Sequence, residues 1–105
     1  MIEFALKDFP HVDMLQSSAE EIFAIIGRKI DKQGAMLVED IKVYLTKLQS
    51  AIFEDEKHSV ETEKVDEHGK FKIETRVTLK QKTYPLRDLM NHAIQNQESI
   101  IYTAK

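Results

Sequence analysis

Ile2, Phe4 and Leu6 fall on one face of an extended segment at the start of the chain, and this alternation predicts a strand. Pro10 has no amide hydrogen to give a ladder, so the strand ends before it; Val12, Met14 and Leu15 read as a connector tucked onto the core. Ser18-Ala19-Glu20-Glu21 has the form of a capping box, in which a hydroxyl and a carboxylate satisfy the unpaired amides of a helix start. Ile22, Ile25 and Ile26 follow at helical spacing. Gly27 predicts the end of that helix, where Arg28 and Lys29 suit its negative pole. Asp31-Lys32-Gln33-Gly34 reads as a turn.

A second helix is predicted from about Val38, with Glu39 and Asp40 in its first turn. Ile41, Tyr44, Leu45, Leu48, Ala51 and Ile52 recur every three or four residues, the most regular helical stripe in the chain. Each large apolar side chain buried from it contributes about 1.5–3 kcal/mol, so this helix should anchor the core. Residues 54–70 are expected as an acidic hairpin arm with freedom to move, turning at Asp66-Glu67-His68-Gly69. Phe71, Ile73, Thr75 and Val77 then alternate with Lys72, Glu74, Arg76 and Thr78, which predicts the returning strand.

The last helix has two candidate starts. Thr78-Leu79-Lys80-Gln81 is a second capping box and would leave Pro85 inside the helix; Thr83 as the cap would put Pro85 in the first turn, where its missing donor costs little. An interior proline costs about 3 kcal/mol, so propensity alone favours Thr83. Leu86, Leu89, Met90 and Ala93 give this helix its apolar stripe, Asn96 or Gln97 ends it, and Ile100-Ile101-Tyr102 is a final strand. The fold class that follows is α+β: about three helices packed on one face of a small, mainly antiparallel sheet holding the two end strands and the hairpin around Gly69. All 105 residues fit one domain.

Composition narrows the function more than the motifs do. Apolar residues make up 42% and charged residues 31%, the balance of a soluble globular chain. The net charge of −3 supplies no positive field for nucleic acid or an anionic membrane. Without a cysteine there is no disulfide, thiolate metal site or thiol nucleophile. No apolar run reads as a signal peptide or a membrane span, and the expected location is cytoplasmic.

The opening strand, Met14-Leu15, the stretch from Ala19 to Gly27-Arg28, Gly34 leading into VEDIKVYLTKLQSAI, and VTLKQKTYPLRDLM before a short apolar strand together form a pattern. It resembles a family of small bacterial proteins known as domain of unknown function 1840. The resemblance covers most of the chain outside residues 54–72, and its most specific piece is Tyr84-Pro85-Leu86 with Leu89-Met90. Tyr102 stands where that pattern implies tryptophan. The resemblance implies no catalytic residue or ligand, but it adds weight to the Thr78 start with a kinked helix.

Candidate chemistry is sparse. A metal site needs three or more converging donors, and the only candidates are His11, Asp13 and His92; scattered surface histidines are the simpler reading. Acids in runs such as Glu54-Asp55-Glu56 are expected in solvent, where carboxylates keep ordinary acidity and do poor acid–base work. The three glycines are too dispersed for a phosphate loop. Lys70, Lys72 and Arg76 extend toward Lys80 and Lys82 as a basic stripe, which pairing with Glu61, Glu63 and Asp66 across the hairpin would neutralise. Nucleic-acid binding also lacks interleaved aromatics. The expectation is a non-enzymatic domain acting through an unidentified protein partner, with no cofactor. Its contact candidates are Phe71, Tyr84, Lys70, Lys72 and Arg76, with Phe53 beside them, and a homodimer is permitted but not required. An enzyme or metal protein built on His11, Asp13 and His92 is the alternative.

Overall fold

In the computed structural model, which describes residues 1–61 and 78–105, the two ends of the chain lie side by side in one sheet. Strand β1 (Ile2–Ala5) pairs antiparallel with strand β4 (Ile100–Ala104), in register from Ile2 opposite Ala104 to Ala5 opposite Ile101. Strand β2 (Val12–Met14) flanks β1 and strand β3 (Gln33–Met36) flanks β4, giving the antiparallel order β2-β1-β4-β3. Helices α1 (Gln16–Ile26), α2 (Val38–Glu61) and α3 (Leu79–Asn96) complete the described residues. All three helices pack on one face of the sheet, as the α+β expectation requires.

Alternation explains why that face is the core. Ile2, Phe4, Met14, Met36, Ile100 and Tyr102 point toward the helices and are buried. They meet Ile22, Phe23 and Ile26 of α1, Ile41 and Leu48 of α2, and Leu86, Leu89 and Met90 of α3 in one continuous cluster. Phe4, Phe23 and Tyr102 form an aromatic centre, with Phe23 edge-on to Tyr102 at 5.1 Å between ring centroids. The predicted stripe of α2 is the buried one, although Tyr44 and Ala51 at its margin stay half-exposed.

Several local expectations are corrected. Val12–Met14 is a strand rather than a connector: the chain reverses after β1, with Phe9 N–H donating to Leu6 O and Asp8 in the left-handed region at φ 66°. Three residues are too few for alternation to be recognisable. Gln33 and Gly34, expected in a turn, open the edge strand β3. Helix α1 starts two residues before Ser18, with Leu15 as its N-cap and no side-chain cap, because Met14 is held in register opposite Ile2 and fixes where the chain leaves the sheet. Glu21 instead meets Lys82 of α3 at 2.8 Å.

Helix α2 runs through Glu54, Asp55 and Glu56 to Glu61, so these acids are helical and only the remainder of the expected arm falls beyond it. That remainder, the hairpin around Gly69, and Phe71, Lys70, Lys72 and Arg76 lie outside the described residues. Asp55 makes use of its helical position by accepting the Leu79 N–H at 3.1 Å. Helix α3 begins at the Thr78 capping box, not at Thr83: Thr78 Oγ1 accepts from Gln81 N–H and Gln81 Oε1 accepts from Thr78 N–H. Thr83 is fully buried in the second turn, its hydroxyl donating to Leu79 O at 2.8 Å, and burial among the helices outweighs the cost of Pro85.

The C-terminal ends of α1 and α3 close alike. Gly27 and Gln97 adopt left-handed backbone, and the amides from each and from its successor return to carbonyls of the last turn. A side chain at φ 53° is strained where glycine would not be. Gln97→Gly is therefore expected to stabilise the fold by about 0.5–1 kcal/mol in urea denaturation. Gly34 has the opposite requirement: a β-carbon there would come within 2.6 Å of Cζ of buried Tyr102. Gly34→Ala should cost about 1–3 kcal/mol by the same assay, from overpacking.

Candidate functional site

The reversal between β1 and β2 brings Phe9 and Pro10 against α3. Phe9 stacks on His92 with ring centroids 4.4 Å apart and planes inclined by 26°. Between this turn and the helix lies an open groove of about 280 Å³, whose walls are Phe9, Pro10, His11 and Val12 on one side and Tyr84, Pro85, Asp88, Leu89 and His92 on the other. Leu89 is nearly buried, while Tyr84 is 62% exposed. The Arg87 guanidinium lies 5.7 Å from the centre of the Tyr84 ring, and it is fixed there by donating to Lys80 O at 2.7 Å and to Thr83 Oγ1 at 2.9 Å. Asp88 reaches His92 Nε2 at 3.7 Å, one helical turn away.

A second depression, of about 370 Å³, is lined by Thr46, Gln49, Ser50, Phe53 and Glu54 of α2 alone. Phe53 is 57% exposed there, with Lys57 Nζ 5.0 Å from its ring centre. Among the described residues this surface has no opposing wall, so the groove beside α3 is the better-formed site.

The sequence candidates separate in space. His11 and His92 line the same groove, while Asp13 pairs across the strands with Glu3 and approaches Lys105, away from His92. Among the described residues no three His, Cys, Asp or Glu side chains are grouped as a metal would need. Tyr84, a contact candidate from the sequence, stands exposed on the lip of the groove. Phe9 and Asp88 were not singled out from the sequence, and Leu89 was read only as part of the apolar stripe of α3. The spacing of Tyr84, Asp88 and His92 by four residues was a usable signal for one helical face. The partnership of Phe9 with a helix more than eighty positions later had none.

On the face of the sheet away from the three helices, Glu3 is bonded to Lys105 and lies 3.4 Å from His11 Nδ1; Lys105 also approaches Asp13 at 3.8 Å. The hydrogen bond from Lys105, joined by its charge and that of His11, holds the Glu3 carboxyl below its ordinary value. The same bond, with the charges of Asp13 and Glu3, raises the Lys105 ammonium. Ile101 (58% exposed) shares this face between Ala5 and Ala35.

Helices laid over one face of a four-stranded antiparallel sheet, with an apolar groove at its rim, define a small α+β domain. The chain belongs to the family described as Domain of unknown function (DUF1840), whose model matches residues 1–102. No curated protein and no solved structure matches it. Among the described residues no helix is long and apolar enough to cross a membrane.

The Glu3–Lys105 bond predicts a pH signature. A depressed carboxyl stabilises above its unfolded value and loses that effect as acid protonates it; a raised ammonium stabilises below its unfolded value and loses that effect in alkali. In an NMR titration the Glu3 carboxyl should therefore ionise at lower pH than an ordinary glutamate, and Lys105→Gln should move its midpoint back up. An unchanged midpoint in that variant would show that the lysine is not the cause.

Proposed function

We propose that this domain acts through protein contacts, without catalysing a reaction, in the bacterial cytoplasm. One observation carries the reading: a groove with an apolar floor and a 62%-exposed tyrosine on its lip, open to solvent at the rim of a well-packed core. Large aromatic side chains standing in solvent beside an apolar depression are the usual anchors of protein interfaces, because they bury much area for little conformational entropy. The polar groups beside the groove do not form a reaction centre. Asp88 and His92 are both partly solvated, and among the described residues His92 meets the Phe9 ring across the groove. The cysteine-free composition fits a reducing compartment.

The immobilised protein is expected to retain a stoichiometric partner from bacterial lysate, and Tyr84→Ala is expected to lose it. The substitution removes little buried surface, so folding stability should change by no more than about 0.5 kcal/mol. Recovery of the same partner by wild type and variant would remove the groove from the function. Recovery of none by either would remove the protein-contact reading itself.

A further inference from the structure

We infer that the outer face of α2 is a contact between two copies of this chain, paired antiparallel about a two-fold axis at the level of Leu48. The face shares no lining residue with the groove beside α3, so this goes beyond the reading above. Burial of Ile41, Leu45, Leu48 and Ile52 turns one side of α2 to the core and leaves the other in solvent. Along that other side Glu39, Val43, Thr46, Ser50, Phe53 and Lys57 follow at steps of four and three residues, and all six are exposed. This is the spacing at which one helix keeps a seam against another. Val43 is 52% exposed, so with Phe53 it puts two large apolar side chains on one solvent-facing ridge.

The order of residues along the ridge selects the occupant. It reads acid, apolar, short, short, apolar, base, and is therefore complementary to itself when reversed. A two-fold contact requires that property. Set antiparallel, the ridge puts Glu39 of each copy beside Lys57 of the other, Val43 against Phe53, and Thr46 against Ser50. Each of these meetings occurs twice. The short side chains in the middle let the helices approach, and Val43 of one copy then enters the depression of about 370 Å³ beside Phe53 of the other. On the flank, Lys42 of one copy comes beside Glu56 of the other, which Lys80 of its own chain approaches only to 3.9 Å. A parallel pair would instead set Glu39 on Glu39 and Lys57 on Lys57, so like charges select against it.

The same residues limit the strength of the contact. Two of the six ridge positions are large and apolar, and one helix face per copy is a small interface. Stable complexes begin near roughly 1,200 Å² of buried surface, so this dimer should form reversibly, with a Kd on the order of 10–100 μM.

The test is sedimentation equilibrium of the whole protein over concentrations that span this Kd. Wild type is expected to pass from monomer to dimer, and Phe53→Glu to weaken association by at least about tenfold. Glu39→Lys and Lys57→Glu should each weaken it about tenfold, since one change reverses two equivalent ion pairs. Mixing those two variants should restore association as a heterodimer, because the reversed charges then face each other across the seam. Ile101→Lys, on the sheet face away from the helices, should leave the dimer unchanged. A chain that stays monomeric, a dimer that withstands Phe53→Glu, a dimer lost in Ile101→Lys, or a mixture of the charge variants no tighter than either alone would each overturn the inference. If a lysate protein is lost with Phe53→Glu from a chain that stays monomeric, the face belongs to a different occupant and the inference fails.

Discussion

Tyr102 stands in a central strand with no solvent exposure, so its hydroxyl has to find a partner inside the protein or lose its hydration uncompensated. The phenol passes over Gly34 on the neighbouring strand, where any β-carbon would obstruct it, and reaches the Arg28 guanidinium at 3.3 Å. Arg28 also donates to Tyr44 Oη of α2 at 3.3 Å and to Ala35 O on β3 at 2.8 Å, while lying 5.3 Å from the centre of the Tyr102 ring. One guanidinium therefore joins the end of α1 to α2, β3 and β4. A planar donor with several N–H groups can do this where a lysine could not. Its bond to Ala35 also occupies an acceptor on an edge strand that would otherwise be open to pairing with another chain.

That arrangement sets the order in which the rest is placed. With β4 fixed between β1 and β3, the two ends of the chain become the sheet interior, and the segments nearest them supply its edges. Helix starts are then dictated by the sheet more than by local capping. Ser99, just before β4, accepts the first amide of α2, and Lys47 of α2 donates back to Ile26 O at the end of α1. The reversal after β1 has one place to go, against the side of α3, and it is this forced contact that creates the groove.

How much of this was legible follows from which forces are local. Ile2, Phe4 and Leu6 on one face, the α2 stripe, Gly27 as a helix end and the closing strand are consequences of periodicity or backbone preference, and all are readable in sequence. The outer strands were not, because three or four residues carry too little alternation and Gly34 imitates a turn while serving a distant phenol. Ser18-x-x-Glu21 shows the converse failure: a correct local signal left unused because the register of β2 starts the helix earlier. At the site, exposed Tyr84 was legible, and so were the histidines that line the groove with it. The meeting of His11 with His92 was not, since it depends on a turn packing against a helix far along the chain.

Pro85 joins the fold to the site. Inside α3 it cannot donate to the carbonyl of Gln81, and such a break in a helix costs about 3 kcal/mol when nothing compensates. Compensation is visible on either side of it. Arg87 covers the carbonyl of Lys80, Thr83 covers that of Leu79, and exposed Gln81 leaves its own carbonyl within reach of water. The helix thus retains its buried stripe of Leu86, Leu89 and Met90 while turning an exposed pyrrolidine ring toward Phe9 and Pro10. An alanine at 85 would serve the helix better and the core no worse, because the ring itself is outside the core cluster. What the proline alone provides is a rigid apolar ring on the groove side, next in sequence to the Tyr84 that Arg87 lies beside.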